Sequence, residues 1–116
     1  MKLSAMDLQT RKENNAIVVT LSGRLDAVTA PEFEKAVREL IEGGNHFIVL
    51  DFGPLDYISS AGLRGLLLMS KLLNAKGGRV CFADVQGNVR SVFDMCGFTA
   101  LFKMENSVAE ALAALG

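Results

Sequence analysis

Apolar positions change their spacing several times along this chain, and each change predicts an element. The run from Ala16 to Ser22 is apolar and β-branched, which predicts a strand. Phe47 to Leu50 and Val80 to Ala83 are short apolar runs bounded by polar residues or glycine, and they predict buried strands. Met6 to Arg11 reads as an edge strand and Leu101 to Lys103 as a further short one. Between these runs the spacing turns helical. Phe33, Ala36, Val37, Leu40 and Ile41 share one face, with Thr29 and Glu32 at capping-box spacing before them and Gly43-Gly44 after them.

Val89, Val92, Phe93 and Cys96 predict a second helix, stopped by Gly97. Val108, Ala111, Leu112 and Leu115 predict a last one, opened by a Ser107/Glu110 capping box. The longest helix runs from about Ser60 to Lys76 and stops at Gly77-Gly78. The order is β-β-α-β-α-β-α, a short β, then α. Alternation of this kind predicts one α/β domain over residues 1–116. Its sheet is mixed and mostly parallel, with four to five strands covered by about four helices.

On a helical wheel of the long helix, Ala61, Gly65, Leu68, Met69, Leu72 and Leu73 fall together and are expected to face the sheet. Ser60, Leu63, Arg64, Leu67, Lys71 and Asn74 fall on the outer side. Leu63 and Leu67 are out of place in that polar set. They either form a docking surface, for a partner or for a second copy as a weak homodimer, or lie under a neighbouring helix or loop.

Composition narrows the function classes. Half of the 116 residues are apolar, enough for a core without a metal or disulfide. The net charge of −1 gives no case for nucleic acid or an anionic membrane. Cys81 and Cys96 lack any Cys-x-x-Cys or histidine companion and are expected to be reduced, in or near the core. The first eleven residues lack the apolar run of a signal peptide, and no segment has the length to span a bilayer. The expectation is a cytoplasmic protein with no cofactor.

The candidate chemistry lies where the long helix begins, at Asp56, Tyr57, Ile58, Ser59, Ser60, Ala61 and Gly62. Serine is a preferred N-cap, and that is the expected role of Ser59. A helix N-terminus also favours anions, so a phosphate on Ser60 would leave the fold intact and act outward on a partner.

The segment Asp56 to Arg64 resembles the central signature of bacterial anti-sigma-factor antagonists of the STAS family. Gly23 to Ala27 resembles that family's Gly-x-Leu-Asp turn, and Ser91 to Phe98 its segment before the last strand and helix. The resemblance runs from about Ile17 to Leu115. It implies a partner switch. The unmodified protein binds an anti-sigma factor that is also a serine protein kinase, and so frees the sigma factor. The kinase phosphorylates the antagonist and ends the interaction, and a metal-dependent PP2C-type serine phosphatase restores it. The implied acceptor is Ser60, two positions before Gly62, with Ser59 as the alternative.

The sequence departs from the family pattern on both sides of Ser60. Ser59 stands where the family often has aspartate, and Ala61 where it often has serine or threonine. Asp56 is the candidate to replace the missing carboxylate. Asp26 matches a loop aspartate placed beside the acceptor, although an aspartate in a turn also bonds its own backbone. Arg64, unfavourable so near a helix N-terminus, is expected to meet a phosphate, a partner carboxylate or solvent.

Two other functions compete with this reading. A Ser60 nucleophile would need His46, the one histidine, as its base, yet a whole strand separates the two. There is no P-loop pattern. A non-catalytic STAS subunit of a transporter or stress-signalling complex remains the alternative function.

Overall fold

The computed structural model describes residues 6–115. The elements run β1 (Met6–Glu13), β2 (Ala16–Leu25), α1 (Ala30–Glu42), β3 (Phe47–Asp51), β4 (Leu55–Ile58) and α2 (Ser60–Ala75). Then follow β5 (Arg79–Ala83), α3 (Gly87–Met95), α4 (Phe98–Leu101), β6 (Met104–Glu105) and α5 (Val108–Leu115). The sheet is mixed and mostly parallel, as the alternation predicts. It has six strands, in the order β1-β2-β3-β5-β6 with β4 beside β2. Leu101 to Lys103 is not a strand; α4 takes Leu101, and the short strand begins at Met104.

β1 and β2 are antiparallel, paired from Met6↔Gly23 to Glu13↔Ala16. Asn14 closes their turn at φ 56, a left-handed conformation that asparagine tolerates. β2 then serves two parallel neighbours in succession, β3 along Ile17–Thr20 and β4 along Gly23–Leu25. The corner between β3 and β4 contains Pro54, which has no N–H for the ladder; its carbonyl accepts from Gly23 N–H at 3.3 Å. β4 therefore carries the chain past the end of β3 before α2 begins.

The middle strands are apolar at consecutive positions because both faces of the sheet are covered. Ile17, Val19, Leu21, Ile48, Leu50 and Phe82 join the core that includes Phe33 of α1, Leu66 of α2 and Phe93 of α3. Ala16, Val18, Val49, Cys81 and Ala83 pack on the other face against Ala111 and Leu115 of α5. Cys81 is buried as expected, but Cys96 is exposed, because it follows the last turn of α3 on the outside. Half of the Ser107/Glu110 capping box forms: Glu110 N–H donates to Ser107 Oγ at 3.1 Å, while the Glu110 carboxylate accepts from the Ser107 hydroxyl at 3.4 Å rather than from its amide.

The face of α2 differs from the wheel. Gly62, Leu63, Gly65, Leu66, Met69 and Leu73 are buried, whereas Leu68 is exposed. Leucines occupy almost every side of this helix, so spacing alone leaves its rotation undecided. Two neighbours decide it. The sheet takes Leu66, Met69 and Leu73, and α1 packs at Gly65 beside Phe33 and Glu34. Full burial of a leucine such as Leu66 contributes about 1.5–3 kcal/mol.

Candidate functional site

β2 and β4 end side by side, with Leu25 and Ile58 in register. Each strand leads into a helix on the same face. Asp26–Thr29 before α1 and Ser59–Ser60 before α2 are therefore neighbours at the carboxyl end of the sheet, where open α/β sheets commonly place binding sites.

The backbone joins the two loops. Ser59 N–H donates to the Leu25 carbonyl at 2.9 Å, and Ser59 C=O accepts from Leu63 N–H at 2.9 Å. Ser59 is the N-cap of α2, in extended conformation, and its hydroxyl accepts a long bond of 3.4 Å from Gly62 N–H. Ser60 is the first helical residue. It is exposed, and its hydroxyl has no hydrogen bond among the described residues. The first turn of α2 holds no acidic side chain, so its positive dipole end is uncompensated. Gly62 is fixed by space: a Cβ there would lie 2.7 Å from the Leu25 carbonyl and 2.9 Å from Ile58 Cγ1.

Asp26 organises the first loop. Its Oδ1 accepts from Val28 N–H at 3.0 Å and from Thr29 N–H at 3.2 Å. Arg24 Nε lies 3.4 Å from Oδ2. The Thr29 N–H bond is the main cause that holds the Asp26 carboxyl below the usual aspartate range; partial burial opposes it, and the bonds from Val28 and Arg24 add to it. The expected Thr29/Glu32 capping box is corrected here. Thr29 is the N-cap of α1, but its side chain makes no cap bond. Its hydroxyl donates to the Arg24 carbonyl at 2.8 Å and accepts from Asp26 N–H at 2.9 Å. Asp26 thus bonds its own loop and Arg24; it has no direct bond to Ser59 or Ser60.

Arg24 also stacks over Tyr57 at 4.3 Å from the ring centroid. Sequence reasoning missed this pair. The two residues face each other across β2 and β4, so the pair becomes readable only once Leu55–Ile58 is known to be a strand. Asp56 on the same strand is exposed and has no hydrogen bond or ion pair among the described residues, so nothing ties it to Ser59.

The surface around Ser60 is partly apolar. Val28 is 82% exposed, Tyr57 40% and Leu68 38%. Ala27, Pro31, Ala61, Arg64 and Leu68 line a shallow groove of about 600 Å³ between α1 and α2. Arg64 is exposed and has no ion pair among the described residues. The expected docking pair of Leu63 and Leu67 is corrected. Leu63 is only 9% exposed, within the core, and Leu67 is half-buried against it. Leu63 cannot present a homodimer surface either. The apolar side chain that does face outward is Leu68. His46 lies at the opposite end of the parallel strands, its carbonyl accepting from Arg79 N–H at 2.8 Å.

The family model described as "STAS domain" matches residues 7–111. A Bordetella bronchiseptica protein named as an anti-sigma factor antagonist, BtrV, is 36% identical over 109 residues, which cover 94% of this chain and 94% of the relative. The crystal structure of an anti-sigma factor antagonist from Mycobacterium paratuberculosis superposes with a TM-score of 0.86 at 23% identity, covering 95% of this chain and 93% of that one. The Bacillus cell fate determinant SpoIIAA in its phosphorylated form superposes at 0.73 with 20% identity, over 95% of this chain and 100% of that one.

Proposed function

The chain belongs to the STAS-domain family, among its anti-sigma factor antagonists, and from that premise we propose that it binds an anti-sigma factor that is also a serine protein kinase, frees the sigma factor, and is switched off by phosphorylation of Ser60. A PP2C-type serine phosphatase returns it to the binding form.

The observation that carries this reading is the contrast between two adjacent serines. Ser59 is half-buried and caps α2. Ser60 is exposed beside the groove of Ala61, Arg64 and Leu68, with a free hydroxyl. A kinase can reach Ser60 without opening the helix. The phosphate would sit at a helix N-terminus, which accommodates an anion, so the domain stays folded. Its effect falls on the interface: about −1.5 to −2 charges beside Ala61 and Arg64, at the end of the groove that continues to Leu68, add desolvation cost and repel acidic partner groups. The similar Bacillus structure, of a phosphorylated form, supports a modified state of this fold.

Isothermal titration against the anti-sigma kinase encoded nearest this gene tests the reading. Wild type is expected to bind, and Ser60→Glu and Leu68→Glu to bind about tenfold more weakly or worse. Equal binding by all three proteins would place the interface elsewhere.

A further inference from the structure

The outer edge of β5 is paired over only part of its length. β6 meets it at Phe82 and Ala83. Phe82 and Asp84 N–H donate to the carbonyls of Lys103 and Glu105 at 2.9 and 3.1 Å. Amides along a parallel strand alternate between its two sides. Arg79 N–H points inward, to the His46 carbonyl. The N–H and C=O of Val80 therefore point outward, where the described residues supply no neighbouring strand. The chain that would continue β6 backwards is instead coiled into α4.

A trench of about 580 Å³ opens at this place. Arg79 and Val80 form its floor. Leu67, Lys71 and Asn74 of α2 form one wall, and Ala114 and Leu115 of α5 the other; Leu101 and Phe102 close the end. Lys71, Arg79 and Lys103 all line it and no acidic residue does, in a chain whose net charge is −1. Lys71 has no ion pair among the described residues, whereas Lys103 Nζ lies 3.5 Å from Glu105 Oε2, a pair 59% and 25% exposed that an incoming carboxylate would have to share, and the Arg79 guanidinium donates to the Leu115 carbonyl at 3.0 Å. Leu101 is 61% exposed there.

We propose that this trench receives an extended acidic segment of a partner protein, which adds to the free half of β5 as one more short strand. Val80 supplies the backbone donor and acceptor. Leu67, Leu101 and Phe102 receive an apolar side chain, and Lys71 and Lys103 meet carboxylates on either side of it. Three or so residues fit, at about 3.3 Å each. A second copy presenting the same trench would set cations against cations. The trench shares Leu67 and Lys71 with the rim of the groove between α1 and α2, but its floor lies at the amino end of β5, whereas Ser60 lies beyond the carboxyl end of β4.

The test is an amide NMR titration of the labelled full chain with a blocked pentapeptide of alternating aspartate and valine. The expected result is a downfield shift and slower exchange of the Val80 amide, with perturbations confined to residues 67–71, 79–81 and 101–103. Affinity is expected to fall about tenfold when asparagine replaces aspartate in the peptide, and similarly in a Lys71→Glu/Lys103→Glu variant. Ser60→Glu should leave it unchanged. No perturbation at those residues, equal binding of the asparagine peptide, or concentration-dependent shifts of the same amides without peptide (a second copy as the occupant) would each overturn the proposal.

Discussion

The amide of Ser59 donates to the carbonyl of Leu25 at 2.9 Å, and a Cβ on residue 62 would approach that same carbonyl to 2.7 Å. One carbonyl at the end of β2 thus holds the start of α2 and limits what can follow it. The position of Ser60 is a consequence of that contact.

Gly62→Ala tests it. The obstacle is backbone, which cannot swing aside as a flexible side chain can. The variant is expected to lose about 1–3 kcal/mol in urea unfolding. Amide shifts should also move at Leu25, Ser59 and Ser60. Wild-type stability would mean that α2 can slide outward at no cost.

Leu63 and Leu68 should separate stability from binding. Leu63→Ala removes a core side chain and is expected to cost about 2–5 kcal/mol. Leu68→Ala is expected to stay within about 0.5 kcal/mol of wild type, as surface substitutions usually do. Its effect should appear in titration against the partner. Urea melts of the two variants check the contrast, and the reverse order would contradict the rotation of α2 described here.

Much of this architecture could be read from the chain. Consecutive apolar residues in β2, β3 and β5 signalled strands buried on both faces, and Gly43-Gly44 and Gly77-Gly78 marked the helix ends. Three features could not be read. Leu55–Ile58 has apolar ends and an exposed middle, so it resembles a loop until β2 is seen to run past β3. The rotation of α2 depends on how α1 and the sheet share its leucines, which no single-helix pattern encodes. Thr29 leaves α1 without a side-chain cap because its hydroxyl faces back to the Arg24 carbonyl, a contact set by the loop as a whole. At the site, the serines were legible in order but not in role. Capping by Ser59 was expected, whereas the freedom of Ser60 depends on which way the first turn faces.

Asp26 predicts a pH dependence. Its carboxyl is held below the ordinary range by the bond from Thr29 N–H, so folding favours the ionised form. That contribution is present above the unfolded-state value and is lost as pH falls through the lower folded-state value. Asp26→Asn should melt at a lower temperature than wild type near neutral pH, and the difference should shrink as the pH is lowered below the aspartate range. Thermal melts across that range check this; a constant difference would assign the loss to shape rather than charge.

The two thiols should behave differently. Burial, with a smaller effect from Glu105, pushes Cys81 up to about 11, whereas Cys96 is exposed. A thiol reagent at neutral pH should label Cys96 in the folded protein and both cysteines after denaturation. Rapid labelling of Cys81 in the folded state would show that the sheet face under α5 opens.

The most direct test of the switch is intact-mass measurement after incubation with ATP and the serine kinase encoded nearest this gene. Wild type and Ser59→Ala are predicted to gain one phosphate, and Ser60→Ala none. A phosphate gained by Ser60→Ala but lost in Ser59→Ala would contradict the assignment, because the kinase would then be modifying the capping serine rather than the exposed one.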